Sequence, residues 1–223
     1  MKTKGKMIMR ATKLLVALAI ALSTTGCLVQ SLHPLFTDKD LVFEPSLLGT
    51  WVGQVPRGGY ESKASIIFQE SKDKTYKVIY HPETLGSVGE LPGEPVEFKG
   101  RLGRLGDYLF LETSLAEESS PTVNELYFLH RVPVYGIFRI QVDGDVLHLA
   151  ALYDQLYFAR VFGLDHLFAG KFKIFHQWLE RDRRILLTAR THELQEFVLK
   201  SAEDKDLFSY LGPWHRQKEG DQK

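Results

Sequence analysis

The sequence predicts an all-β domain, mainly antiparallel, with about eight to ten strands closed into a barrel or a sandwich and a C-terminal α-helix. Three observations predict it. Apolar and polar side chains alternate in segment after segment between Leu47 and Leu152, which is the period of a half-buried strand. Polar or Gly/Pro-containing breaks separate those segments. A single helical stripe comes late, at Leu194, Phe197 and Val198. With 223 residues, 44% apolar and 25% charged, the chain has the composition of one ordinary globular domain.

The elements follow in order. Residues 1–13 carry Lys2, Lys4, Lys6, Arg10 and Lys13 and no acid, and Leu14 to Leu22 is an unbroken apolar run. Ser23 to Gly26 are small or polar, so residues 1–26 have the three-part layout of a secretory signal peptide, with cleavage between Gly26 and Cys27. As a helix at ~1.5 Å per residue that run spans about 14 Å, under half of a ~30 Å hydrocarbon core, which argues against a permanent transmembrane helix. Residues 27–46 contain Pro34 and Pro45 and lack sustained periodicity. They read as a tether partly ordered against the domain, because Leu35, Phe36, Leu41, Val42 and Phe43 are too apolar for a free linker.

The domain is expected over 47–214. Its first strand opens at Gly49-Thr50-Trp51-Val52. Ala64, Ile66 and Phe68 share one face of the next, and Tyr76, Val78 and Tyr80 one face of the one after. Val96 to Leu102, Tyr108 to Thr113, Asn124 to His130, Val134 to Val142 and Val146 to Leu152 continue the series. Ser71 to Lys74, Gly103 to Asp107 and Asp143-Gly144 supply turns, while 82–95 is the longest Gly/Pro-rich break. Residues 153–168 are compatible with a helix or a strand. Phe172, Ile174, His176 and Trp178 alternate again, and a turn leads into Ile185 to Ala189. Thr191 is placed to cap a helix that ends near Ser201. Residues 215–223 form a polar tail.

Lys+Arg and Asp+Glu are equal at 28 each, but without residues 1–26 the count is 23 basic against 28 acidic. No basic surface for nucleic acid is implied. Cys27 is the only cysteine, so no disulfide can form within one molecule. Its place just after Gly26 resembles the lipobox of bacterial lipoproteins, although Thr24 stands where that family usually has Leu. The resemblance implies diacylation of Cys27, its exposure as the mature N-terminus, and a membrane partner through the lipid. Leu28 in place of Asp implies sorting to the outer membrane, facing the periplasm. More than one acyl chain fits the physics, since a single chain holds a protein only marginally on a bilayer.

Gly49-Thr50-Trp51, the meandering strands and the late helix are similar to the lipocalin and wider calycin group. That resemblance implies that Trp51 plugs one end of a barrel and stacks near an Arg from a late strand. The mature chain, with SLHPLFTDKDLVFEPSLLGTW and LLTARTHELQEF, also resembles uncharacterised bacterial lipoproteins, which implies no activity.

Catalytic and metal signatures are weak. His176 and Glu180 are four apart, but on an alternating stretch rather than a helix. His192-Glu193 begins an H-E-x-x-H pattern in which Glu196 replaces the second His. Gly100, Gly103 and Gly106 lie between strands, where a hairpin is expected rather than a phosphate cradle. Ser87 fits a G-x-S-x-G elbow poorly, because Gly86 adjoins it. No cofactor, metal or catalytic set is therefore expected. The expected function is a lipid-anchored module binding a small apolar or amphipathic ligand on inward side chains, with Phe68, Tyr76, Tyr80 and Phe138 as its contacts. An eight-stranded barrel can equally be filled by its own side chains, and the protein would then be an interaction or assembly component of the envelope.

Overall fold

A computed structural model describes residues 27–57, 60–82, 94–116, 133–154, 176–179 and 184–218. Eight antiparallel strands close into a barrel: β3 (Gly49–Arg57), β4 (Tyr60–Glu70), β5 (Thr75–Pro82), β6 (Val96–Leu105), β7 (Tyr108–Leu115), β8 (Tyr135–Asp143), β9 (Val146–Asp154) and β12 (Phe208–Arg216). Each pairs with the next, and β12 pairs with both β9 and β3, which closes the ring. The closed all-β barrel with a helix near its C-terminus is the architecture expected from the alternation, and it is lipocalin-like in form.

The inward faces form one core, with Trp51, Ile66, Phe68, Tyr76, Val78, Leu102, Leu111, Ile140, Leu149 and Trp214 buried in it. The faces bearing Lys77, Lys99 and Gln141 are turned outward, and Lys77 pairs with Glu97 across β5 and β6. Tight turns join β4 to β5, β6 to β7 and β8 to β9 at one end of the barrel. Asp73 and Lys74 both take positive φ there, as a two-residue hairpin twisted like its strands requires. The GRLGRLGD stretch is the β6–β7 hairpin.

A second core lies outside the barrel. Helix α1 (Thr191–Lys200) packs Leu194 and Val198 over Phe110, Ile137, Leu152 and Phe208, together with Val29, Leu35, Phe36 and Leu41. Arg190 holds the N-cap position with Glu193 accepting from its backbone N–H at 3.0 Å. The sequence places Thr191 at that cap; in the structure Thr191 is the first helical residue, and its hydroxyl donates to the Pro34 carbonyl at 2.8 Å.

Residues 28–48 are part of the domain rather than an appendage. β1 (Cys27–Leu28) pairs with the end of β9 and β2 (Gln30–Ser31) with the start of β8, so the chain enters where those two strands diverge. β2 also runs parallel to β11 (Arg184–Leu187), the partner of β10 (His176–Leu179). The chain then crosses the barrel wall and folds over its tight-turn end, where Val42 donates to Leu102 and Leu47 is fully buried. At the other extreme β12 runs to Arg216, two residues into the stretch read as a polar tail. The expected strand 124–130, Ser87, Glu180, Gly26 and most of 153–168 lie outside the described residues. No helix among the described residues is long and apolar enough to cross a membrane.

Candidate functional site

The two ends of the barrel are built differently. At the tight-turn end Trp51 is fully buried, and its indole N–H donates to the Leu47 carbonyl at 2.8 Å. The Arg216 guanidinium, from β12, lies 4.2 Å from the Trp51 ring centroid. Arg216 also donates to the carbonyls of Leu48, at 2.6 Å, and Ser46, and faces Asp145 at 3.4 Å. A cation over an indole face is attractive, and the carbonyls fix its position. Gly49 makes room for it. A Cβ there would stand 3.1 Å from the guanidinium, and its φ of +112° is one that only glycine adopts without strain.

Tyr76 belongs to this end as well. It is fully buried, stacked on Phe43 at 5.2 Å and edge-on to Phe68 at 6.1 Å. Its hydroxyl accepts from the Glu44 N–H at 2.7 Å and donates to the Glu44 carbonyl at 3.2 Å. Burial raises its pKa, in keeping with a phenol held neutral between backbone groups. Of the four side chains expected to meet a ligand, Phe68 and Tyr76 therefore lie in packed core, and Tyr76 holds the 42–48 segment in place.

Tyr80 and Phe138 lie elsewhere. They sit on the inward face toward the opposite end, with Phe98 and Val55, and all four are partly buried against the inner core. Leu115, the residue across from Phe98 on β7, is 47% exposed. Among the described residues, an apolar inner wall is thus partly exposed at this end. Cys27 pairs with Asp154 at the end of β9, so β1 emerges at the same end of the barrel as Tyr80 and Phe138.

Alternation alone does not single out the polar clamp on the barrel wall. Arg101 and Glu112 face each other across β6 and β7, with nitrogen and oxygen 3.3 Å apart. Glu112 is 1% exposed and accepts from the backbone N–H groups of Leu35 and Phe36. Arg101 donates to the Phe36 carbonyl at 2.8 Å and reaches Asp38 at 3.3 Å. Burial pushes the Glu112 carboxyl up, against the pull of Arg101 and the two amides. Gly103 lies flat under Phe36, where a Cβ would come within 2.3 Å of the ring. The hairpin at Gly106 could have revealed this pair, since its register sets residue 101 opposite 112.

An open cleft of about 460 Å³ lies outside the barrel at the start of α1, lined by His33, Thr37, Asp40, Arg190, Thr191, His192 and Gln195. The Thr37 hydroxyl and amide hold the Asp40 carboxyl below its ordinary range. Gln195 bridges Asp40 and the Leu35 carbonyl. These polar groups tie the N-terminal segment to the helix. Among the described residues no group of three or more His, Cys, Asp or Glu could hold a metal ion. Comparison with protein-family models, with curated proteins and with solved structures found no match for this chain.

Proposed function

We propose that this protein is a lipid-anchored binding module of the bacterial envelope, acylated at Cys27, whose barrel takes a small apolar or amphipathic ligand. The observation that carries the reading is the partly covered inner wall of Tyr80, Phe98 and Phe138, at the end away from Trp51. Cys27 supports it by position. It pairs with Asp154, so a lipid on Cys27 would lie beside that end. An anchored barrel would then hold this end close to the lipid headgroups, where amphipathic molecules are concentrated. Leu28, by the lipoprotein resemblance, favours the outer membrane and a periplasmic orientation.

A hydrophobic fluorescent probe should saturate at one molecule per chain. Tyr80→Ala and Phe138→Ala should each weaken it about tenfold, equivalent to ~1.4 kcal/mol. Absence of saturable binding by the folded wild type would favour a second reading, an envelope interaction protein with a solid barrel. One observation favours that alternative: Trp51, Phe68, Tyr76 and Trp214 already fill much of the interior. Anchoring is tested separately. Metabolic labelling with a clickable fatty acid should tag the wild type and leave Cys27→Ala unlabelled, and label kept by the variant would rule out Cys27 as the acylated residue.

A further inference from the structure

Trp214 carries a polar group that has no partner among the described residues. The residue is 1% exposed, and among the described residues its Nε1–H has no hydrogen-bond acceptor. Buried donors are nearly always satisfied, because a donor stripped of water and left unpaired is costly. The contrast with Trp51 is direct: the same group there donates to the Leu47 carbonyl at 2.8 Å. Among the described residues nothing comparable faces Trp214. Its partners across the ladder are Leu147 on β9 and Gly53 on β3, and the core around it is aliphatic and aromatic.

The chain places this indole inside by a specific device. Between Tyr210, opposite Ala150, and Pro213, opposite His148, β12 carries one residue more than β9. Such a bulge re-aims the side chains that follow it. Phe208 before the bulge is buried in the outer core and Trp214 after it in the barrel core, although six residues along an unbroken strand would put both on one face. Gly212 makes the bulge possible with a φ of +86°. Gly53 completes the arrangement. A Cβ there would stand 2.6 to 3.0 Å from Cδ2, Cε3 and Cγ of the indole, so only glycine lets the ring lie against β3. Nε1 belongs to the opposite edge of the ring.

We infer that the Trp214 Nε1–H is the polar recognition point of the barrel, and that the ligand is an apolar chain bearing a hydrogen-bond acceptor, such as a carboxylate or carbonyl oxygen. This rests on the reading of the barrel as a binding module. The ligand would lead with its acceptor, and its apolar remainder would lie along Phe98, Phe138 and Tyr80. A pure hydrocarbon would leave the indole unpaired, so it should bind less well than an acid of the same length.

The test uses the full chain in nanodiscs, labelled with ¹⁵N at its three tryptophans, with decanoic acid and n-decane as probes. Decanoic acid should move the Trp214 indole proton downfield, and n-decane should not. Trp214→Phe should bind decanoic acid about tenfold more weakly and n-decane unchanged, the loss expected for one hydrogen bond to a charged acceptor. If that variant fails to fold, the wild-type indole signal, assigned through Trp51→Phe and Trp178→Phe, still decides. Saturable decanoic acid binding with an unmoved Trp214 signal would overturn this inference and leave the binding-module reading standing, with water as the indole's partner. If neither probe binds the wild type, both readings fail together.

Discussion

Trp51→Ala is expected to lower stability by about 3–5 kcal/mol, the usual cost of emptying a large buried aromatic site. That is a large share of the ~5–15 kcal/mol that holds a typical domain folded. Three losses combine. The ring leaves a cavity under Leu47, the Leu47 carbonyl loses its donor, and the Arg216 guanidinium loses the face it covers at 4.2 Å. Arg216 keeps the carbonyls of Leu48 and Ser46, so the end of the barrel is weakened rather than abolished. Trp51→Phe separates the contributions. It keeps an aromatic face for Arg216 and removes only the indole N–H and part of the volume, so its loss should be about half that of alanine. Urea unfolding at constant m-value measures both. A Trp51→Ala midpoint equal to that of wild type would show that the ring does not support this end.

The barrel strands were legible because each has one face in and one face out, and the side chains record that with a period of two. The Leu194, Phe197 and Val198 stripe was legible for the same reason at period 3.6. Strand β12 escaped because its bulge breaks the period. Leu211 and Trp214 both pack toward the barrel core, although they are three residues apart. A Gly-Pro pair inside an apolar stretch reads as an interruption, whereas here it is the means of changing faces. The N-terminal segment was legible as ordered against the domain, from its apolar residues, but its path was not. Its residues make no periodic pattern, since they are held by backbone hydrogen bonds to Tyr76, Arg101 and Glu112, and such contacts leave no trace in their own sequence. The candidate site was half legible. Alternation picked out the inward side chains Phe68, Tyr76, Tyr80 and Phe138, but it cannot distinguish those that plug the barrel from those that line a wall. That depends on which end each occupies, and so on the order of turns around the ring.

Glu112→Ala is expected to cost about 3 kcal/mol, because it removes one partner of a buried ion pair and strands two buried amides. Its effect should be focused on residues 28–48. The carboxylate takes the N–H groups of Leu35 and Phe36, and those residues lie at the centre of the outer core beneath α1. Amide hydrogen exchange should therefore rise first at Leu35, Phe36 and Val42, while the β3–β4 ladder changes less. The pH dependence has a definite sign. Burial is the largest influence and raises the Glu112 pKa above the ordinary 4.5, so the folded protein holds this proton more tightly than the unfolded chain. Its contribution is then most favourable below the unfolded pKa and declines as pH rises from there through the raised folded value. This runs opposite to a salt-bridged carboxylate with a depressed pKa. Glu112→Gln, which cannot titrate but keeps a carbonyl for the two amides, should abolish that decline. Unfolding midpoints of wild type and Glu112→Gln, compared between pH 4 and pH 8, provide the check. A gap between them that stays constant across the range would mean that Glu112 has the same pKa folded and unfolded, and that burial is fully offset by Arg101 and the amides.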